Sequence, residues 1–108
     1  PVVVIAESNA MGEPIIEQLT RDGMPVRPFR TTNASKTALV DALALAFEQG
    51  AIRILPDATL IGELQAYEME RLPSGALRYS APDGMHDDTV MALALAWSGV
   101  SNTPWLLW

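Results

Sequence analysis

The chain begins with an uninterrupted apolar stretch. Residues 2–6 are β-branched or aliphatic with no polar position between them, a pattern typical of a strand buried on both faces of a parallel sheet. A polar loop at residues 8–12 precedes a helical pattern over residues 14–22. Residues 26–30 predict a second short strand. The first part of the chain therefore predicts a strand, a loop, a helix and a strand.

Helical spacing resumes after a run of residue types that cap helices. Residues 31–35 are Thr, Thr, Asn, Ala and Ser, and apolar positions then recur at helical spacing until Gly50, which predicts a helix over residues 33–49. Residues 52–55 are a short apolar stretch that predicts a third strand. Residues 56–66 then predict another helix, which starts at a proline and an aspartate.

The last third of the chain predicts a hairpin and one strongly apolar helix. Residues 67–72 and 76–80 flank a Pro-Ser-Gly turn, the pattern of a β-hairpin. Residues 90–97 are apolar on nearly every face and predict a helix buried against the sheet. Residues 98–108 have weak periodicity and predict a C-terminal tail. Because the tail ends in Trp-Leu-Leu-Trp, we expect residues 105–108 to pack on the domain or on a second copy of the chain.

Length and composition agree with one compact α/β domain over residues 1–108. The chain has 108 residues, of which 49% are hydrophobic and 19% charged, and this balance excludes a disordered polypeptide. A domain that opens on its central strand is expected to be a fragment of a longer protein. No apolar run approaches the roughly 20 residues of a membrane span, and no basic signal sequence precedes the first strand. We therefore expect a cytoplasmic protein that has no membrane partner.

The charge balance argues against nucleic-acid binding by bulk electrostatics. Thirteen acidic residues against seven basic ones give a formal net charge of −6, the wrong sign for gripping phosphates. This objection weakens if some acidic residues hold divalent cations, because the bound ions reverse the local sign. The absence of cysteine excludes thiolate metal sites, so any metal must be held by oxygen atoms or by the single histidine.

Three carboxylates are placed where such a cation could bind. Glu7 ends the most apolar strand, at the edge where open α/β sheets hold their ligands, and Asp87 and Asp88 begin the most apolar helix. If that helix packs beside the strand, the three negative charges converge and repel one another unless a cation is present. Oxygen ligands with one possible imidazole, His86, favour Mg²⁺ or Mn²⁺.

Each of these residues also has an ordinary structural interpretation. Asp87 and Asp88 could simply cap a helix and complement its dipole. Glu7 could be an exposed strand end, and His86 a loop residue that forms a hydrogen bond. Ser8 and Asn9 are, in the simplest interpretation, turn formers.

A single lysine near a predicted helix start is a candidate phosphate contact. Lys36 opposes the helix dipole there, which is unfavourable for the helix and favourable for an anion. The triplet Ser-Lys-Thr at residues 35–37 is not a Walker A loop, because no glycines precede it. The alternative is a lysine exposed to solvent.

In their order along the chain, several segments resemble the nuclease domain of bacteriophage terminase large subunits. The likeness covers residues 2–97. The segments that carry it are Val-Val-Val-Ile-Ala-Glu-Ser-Asn-Ala-Met-Gly at 2–12, Val-Arg-Pro-Phe-Arg-Thr-Thr at 26–32 with Ser-Lys at 35–36, and Tyr-Ser-Ala-Pro at 79–82 leading into Gly-Met-His-Asp-Asp-Thr-Val-Met-Ala-Leu-Ala at 84–94.

The resemblance implies an RNase H-like nuclease fold with a two-metal site for Mg²⁺ or Mn²⁺. Glu7 matches the family's second acidic ligand, and Asp87 and Asp88 match the third. The family's first acid, on its opening antiparallel strands, has no counterpart in this sequence. The implied fold is therefore partial, and we expect loose metal binding and little cutting by this chain alone. Two ions about 3.5–4 Å apart would bridge the scissile phosphate of double-stranded DNA.

The resemblance also implies the partners of a DNA-packaging motor. These are double-stranded DNA, the terminase ATPase domain, the small terminase subunit and the portal, in the cytoplasm of a bacterial host. Lys36, Arg30 or Arg27 could contact the DNA backbone. A homo-oligomer could form through residues 105–108.

The main alternative is a non-catalytic phage-derived module that binds a packaging partner, since the family's first acid is missing. A Rossmann-like binder is disfavoured because no Gly-rich loop follows the first strand.

Overall fold

The computed structural model describes residues 3–9 and 12–101, with the backbone alone at Ser101. Within these ranges the chain forms four strands and four helices. In chain order these are β1 (Val4–Glu7), α1 (Gly12–Arg21), β2 (Val26–Phe29), α2 (Asn33–Glu48), α3 (Ala58–Ala66), β3 (Glu68–Arg71), β4 (Leu77–Ser80) and α4 (Asp88–Ser101).

The first two strands pair in parallel, as the apolar pattern predicts. Val4 lies opposite Val26 and Glu7 opposite Phe29, with α1 as the crossover helix. The expectation that the first strand is buried on both faces is wrong for the described chain, because Val4, Ile5 and Ala6 are only partly buried. The sheet described here has two strands, and these leave part of β1 uncovered.

The predicted hairpin is present, and the predicted third strand is absent. β3 and β4 pair antiparallel around a turn in which Gly75 has a φ of +89°, a conformation that favours glycine. Residues 51–57 have no regular structure. Ile52 packs against the core, whereas Leu55 is 81% exposed. An apolar stretch becomes a strand only if its backbone finds a pairing partner, and the described strands pair with one another instead.

The hydrophobic core lies between α2 and α4. All the buried side chains in the described ranges come from these two helices: Leu39, Val40, Leu43, Ala46, Val90, Met91, Ala94 and Leu95. α4 packs chiefly on α2 and α3 and less on β1. The prediction that this helix is buried against the sheet therefore holds only for its contact with β1, and its main neighbours are the two helices. Its small residues, such as Ala94, permit close helix packing.

Two of the predicted helix starts have the expected caps, and the last helix extends into the residues predicted as a tail. Thr32 and Ser35 form a capping box at the start of α2, and Asp57 caps α3. α4 continues to Ser101, so residues 98–101 of the predicted tail are helical. The proposed anchor at residues 105–108 lies outside the described residues. No helix in the described ranges is both long enough and apolar enough to cross a membrane.

Candidate metal and nucleic-acid site

A cleft of about 380 Å³ lies where β1 ends and where α2 and α4 begin. The carboxylate-bearing residues predicted from the sequence all line it, although Glu7 and Asp87 are eighty positions apart along the chain. The full lining consists of Ile5, Glu7, Thr31, Lys36, Asp87, Asp88, Met91, Ala92 and Leu95. One wall is thus a strand end, and the opposite wall is formed by two helix starts.

The strand wall is held by hydrogen bonds to the backbone of the loop after β2. The Asn9 side chain donates from Nδ2 to the Thr31 carbonyl at 2.8 Å and accepts from the Thr31 N–H at 2.8 Å, which ties the loop after β1 to the loop after β2. Ser8 N–H donates to the Phe29 carbonyl at 2.9 Å. Asn9 is therefore more than a turn former, because it fixes the chain next to Glu7.

Gly12 is required for the close approach of α1 to β1. A Cβ atom at this position would overlap the Glu7 carbonyl oxygen. Backbone atoms cannot move aside as a side-chain tip can, so only glycine fits without shifting the strand end. The Gly12 N–H also donates to the Asn9 carbonyl at 2.8 Å. The loop between β1 and α1 is thus closed tightly behind Glu7.

The helix wall holds Asp87 through two donors on one oxygen. Lys36 Nζ and the Tyr67 hydroxyl each lie 2.9 Å from Asp87 Oδ2. The side chains of Lys36 and Asp87 are 23% and 25% exposed, so this ion pair is partly shielded from water. Repulsion among the three acidic residues was expected to require a metal cation. Lys36 supplies a positive charge at the same place.

The local environment shifts the pKa of both the Asp87 carboxyl and the Tyr67 hydroxyl. Burial raises the pKa of the Asp87 carboxyl, but the hydrogen bonds from Lys36 and Tyr67 and the charge of Lys36 outweigh burial, so the pKa lies below its usual range. For the Tyr67 hydroxyl, burial first and then the bond to negatively charged Asp87 raise the pKa well above its ordinary value. At neutral pH the contact is therefore between a carboxylate and a neutral phenol that donates its proton.

Tyr67 is itself held in place by a second tyrosine. Its ring is stacked on Tyr79 with centroids 6.2 Å apart and planes 3° from parallel. The Tyr79 hydroxyl donates to Asp41 Oδ1 at 2.6 Å, and this bond is the main cause that raises the pKa of Tyr79. Asp41 lies on α2 and Tyr79 on β4, so the stack joins the hairpin to the helix wall of the cleft.

The start of α4 is capped from another helix. Glu63, on α3, accepts from both the N–H and the hydroxyl of Thr89 at 3.0 Å and 2.7 Å. The side-chain bonds of Asp87 go to Lys36 and Tyr67 instead, and Asp88 makes no side-chain hydrogen bond or ion pair with any described residue. Asp87 also stands at the position before α4, where its carbonyl accepts from the Met91 N–H at 3.0 Å, and Asp88 lies in the first turn, where its charge complements the helix dipole. The structural interpretation of the two aspartates therefore stays an alternative to the ligand interpretation.

The remaining candidates lie in different surroundings. Lys36 is not the solvent-exposed lysine of the alternative interpretation, because it is paired with Asp87 and lies 5.8 Å from the centre of the Tyr67 ring. His86 is exposed and does not line the cleft, and the same holds for Arg27 and Arg30. Arg30 lies one residue before Thr31, which does line it.

The oxygen atoms of the cleft fit a hard divalent cation, but they would bind it from only part of its coordination sphere. Glu7 and Asp88 carry carboxylates without side-chain partners among the described residues, and the Thr31 hydroxyl is buried there with no hydrogen bond. Within residues 3–9 and 12–101, no three acidic or histidine side chains are close enough together to enclose an ion. Mg²⁺ keeps several waters and needs only one or two protein carboxylates plus substrate phosphates. The residues therefore fit an ion that substrate or water helps to hold.

Sequence reasoning missed three residues that shape the site: Asn9, Tyr67 and Glu63. The Asn9 and Tyr67 contacts span 22 and 20 positions, and those of Glu63 span 26. The types of these residues fit many surface positions equally well, so no local pattern marks them. Only Asn9 had a signal, since it stands within the segment that resembles a known family.

Comparisons with known proteins give a consistent result. No protein-family profile matches the chain. The large terminase subunits of Thermus phage G20c and Thermus virus P23-45 are each 35% identical to it over 96 residues, which is 88% of this chain and 20% of the relative.

Solved structures agree with the sequence relatives. The large terminase nuclease of thermophilic phage G20c matches with a TM-score of 0.80 at 34% identity in its magnesium-bound form, and with 0.79 at 35% in its cobalt-bound form, over 90% of this chain and 52% of that one. The large terminase nuclease domain of Thermus phage P74-26 matches with a TM-score of 0.69 over 77% of this chain and 44% of that one, at 34% identity. The chain thus spans about half the length of the solved G20c nuclease and a fifth of the whole relatives.

Proposed function

Since the chain belongs to the nuclease domains of phage large terminase subunits and shares their RNase H-like α/β fold, we propose that its cleft is the divalent-metal site of a DNA-packaging endonuclease. The reaction is hydrolysis of phosphodiester bonds in double-stranded DNA. The observation that carries the proposal is that Glu7, from the end of β1, lines one cleft with Asp87 and Asp88, from the start of α4.

Glu7, Asp87 and Asp88 are the proposed metal ligands. The carboxylates of Glu7 and Asp88 form no hydrogen bond with any described side chain, whereas Asp87 accepts hydrogen bonds from Lys36 and Tyr67. Bound Mg²⁺ or Mn²⁺ would activate a water and neutralise charge on the phosphate. The chain's own contribution is to hold the carboxylates in fixed positions. The G20c nuclease has been solved with magnesium and with cobalt, which supports a site of this chemistry.

Metal binding by this chain is expected to be loose and cutting slow or absent. The described residues do not enclose an ion with three acidic or histidine side chains, and a site with fewer protein ligands depends on water and substrate. His86 is not included among the ligands, because it is exposed and outside the cleft.

Manganese binding by the chain tests the metal site directly. Mn²⁺ broadens the NMR signals of nearby amides even when it binds weakly. We expect broadening first at Glu7 and Asp88, and an affinity reduced by about tenfold or more in Glu7→Gln and in Asp88→Asn. Glu13→Gln, on α1 and away from the cleft, removes the same charge and serves as the matched control.

The same samples separate loss of ligands from loss of fold. Thermal melts without metal should stay close to those of the unchanged chain for Glu7→Gln, since its carboxylate has no described side-chain partner. Plasmid nicking with Mn²⁺ is the second readout, and any cutting should disappear in both ligand variants. Equal broadening in Glu7→Gln and Glu13→Gln would reject the cleft as a metal site.

Double-stranded DNA is the proposed substrate, with basic residues beside the cleft as backbone contacts. Arg30 is exposed next to Thr31, and its side chain has no ion pair within the described ranges. Lys36 forms an ion pair with Asp87, so it is the weaker candidate for a DNA contact as long as no metal competes for that carboxylate. In the whole terminase, the ATPase domain, the small subunit and the portal are the proposed partners, in the host cytoplasm.

Salt dependence of DNA binding tests the two basic residues. Arg30→Ala should reduce the slope of log affinity against log salt by about one phosphate contact. Lys36→Ala should produce the smaller change in the absence of metal, because its charge is already paired. Unchanged slopes in both variants would exclude these residues from the DNA contact.

A non-catalytic packaging module is the second candidate function. The observation that favours it is the absence of an enclosing group of three metal ligands in the described part of the chain. Such a module needs no metal for its role, so Mn²⁺ would not broaden the amides of Glu7 and Asp88 first, and replacing Glu7 would change nothing. The manganese experiment therefore distinguishes the two candidates.

A further inference from the structure

Tyr67 is the one aromatic residue whose hydroxyl contacts a proposed metal ligand within the described ranges. It follows directly after α3 and donates to Asp87 Oδ2 at 2.9 Å. Its hydroxyl also lies 3.9 Å from the Met91 sulfur, a contact that contributes little. The bond to Asp87 is therefore the main polar contact of this side chain.

Two neighbouring side chains limit how the Tyr67 ring can turn. Tyr79 stacks on it and is anchored to α2 through Asp41. The Lys36 ammonium lies 5.8 Å from its ring centre, within reach of a cation–π attraction. A ring held in this way cannot swing toward solvent without breaking the stack. Its hydroxyl is consequently a fixed donor rather than an adaptable one.

Lys36 and Tyr67 bind the same carboxylate oxygen, and this limits how Asp87 can turn. A carboxylate with one oxygen held by two donors from different elements keeps one orientation about its Cβ–Cγ bond. No side-chain donor among the described residues binds Oδ1. Groups that orient a ligating carboxylate in this manner alter metal affinity without touching the metal.

We propose that Tyr67 is a positioning residue that orients Asp87 as a metal ligand, and that the Tyr67–Tyr79 stack keeps it in place. This inference rests on the proposed function, since it assigns Tyr67 a role through a ligand of that site. Tyr67 does not touch the metal or the DNA. Its effect is exerted through one hydrogen bond to Asp87.

Removing single hydroxyl groups tests the assignment. Tyr67→Phe keeps the ring stack and loses only the bond to Asp87, whereas Tyr79→Phe keeps the stack and loses only the bond to Asp41. Free Mn²⁺ measured by electron paramagnetic resonance gives the affinity of each chain. We expect about tenfold weaker Mn²⁺ binding in Tyr67→Phe and a smaller loss in Tyr79→Phe, which weakens the anchoring of the stack to α2 but leaves the bond to Asp87.

A second background separates positioning from general stability. In Asp87→Ala, which removes both carboxylate oxygens, adding Tyr67→Phe should change Mn²⁺ affinity no further, because the tyrosine acts only through the carboxylate. A full additional loss in that background would overturn the inference, and so would equal losses in the two single tyrosine variants. If the unchanged chain binds no Mn²⁺, the proposed metal site itself fails. If it binds and Tyr67→Phe binds equally well, only the role of Tyr67 is rejected.

Discussion

The two walls of the cleft are held by different physical means. On the strand wall, Glu7 is placed by hydrogen bonds of Ser8 and Asn9 to the backbone after β2 and by the close approach of Gly12, and none of the described side chains there is fully buried. On the helix wall, Asp87 is placed by charged and polar side chains that rest on the buried core of α2 and α4. One wall therefore depends on steric fit, and the other on electrostatics.

This difference predicts how each wall responds to change. Steric fit of backbone atoms does not vary with pH or salt, whereas an ion pair loses its attraction when its carboxylate is protonated or screened. A metal bound between the walls would compete with the Lys36–Asp87 ion pair on the helix wall. It would leave the backbone geometry of the strand wall unaltered. Mutations and pH should thus separate the two contributions.

The largest expected effect on stability comes from adding a side chain at Gly12. Gly12→Ala places a Cβ against the Glu7 carbonyl, and we expect a loss of about 1–3 kcal/mol in the free energy of unfolding. Gly62→Ala is the matched control, because nothing lies within 4 Å of a Cβ at that helical position, and it should gain about 0.5–1 kcal/mol. Urea denaturation measures both.

Hydrogen exchange locates the damage within the molecule. In Gly12→Ala the Ser8 amide, bonded to Phe29, should lose protection, while the amides of α2 and α4 keep most of theirs. Equal stability of the two alanine variants would show that the strand wall is not held by steric fit.

Local features of the fold were predictable from the sequence, and pairings across the chain were only partly so. The helix over residues 33–49 is α2 within one residue, and the hairpin has its predicted turn, because spacing, caps and turn types act over a few positions. The strand at 52–55 failed because an apolar stretch carries no information about a pairing partner. The same limit applies to α4, whose apolar faces could not distinguish a sheet from α2 as a neighbour.

The candidate site shows a similar division. The acids at the end of β1 and the start of α4 were predicted to meet, since the edge of a parallel strand and a packed helix start are general locations for ligands, and all three line the cleft. The partners of Asp87 were not predicted. Lys36 is 51 positions away and Tyr67 is 20, and neither residue type indicates which carboxylate it will meet. Their roles follow from tertiary packing.

The smallest expected effect concerns the pH dependence of the helix wall. Because the folded pKa of Asp87 lies below its ordinary value of 3.8, its ion pair stabilises the fold above that pH and ceases to do so as the pH falls through the folded pKa. Asp87→Asn should therefore lower the melting temperature by about 2–5 °C at neutral pH, and this difference should shrink as the pH falls below about 4. The loss of melting temperature caused by Gly12→Ala should instead be the same at neutral pH and below about pH 4, since no charge is involved. Thermal melts of the two variants over this pH range, in the absence of metal, make the comparison. A constant or growing difference for Asp87→Asn on acidification would mean that the Lys36 contact does not hold the helix wall.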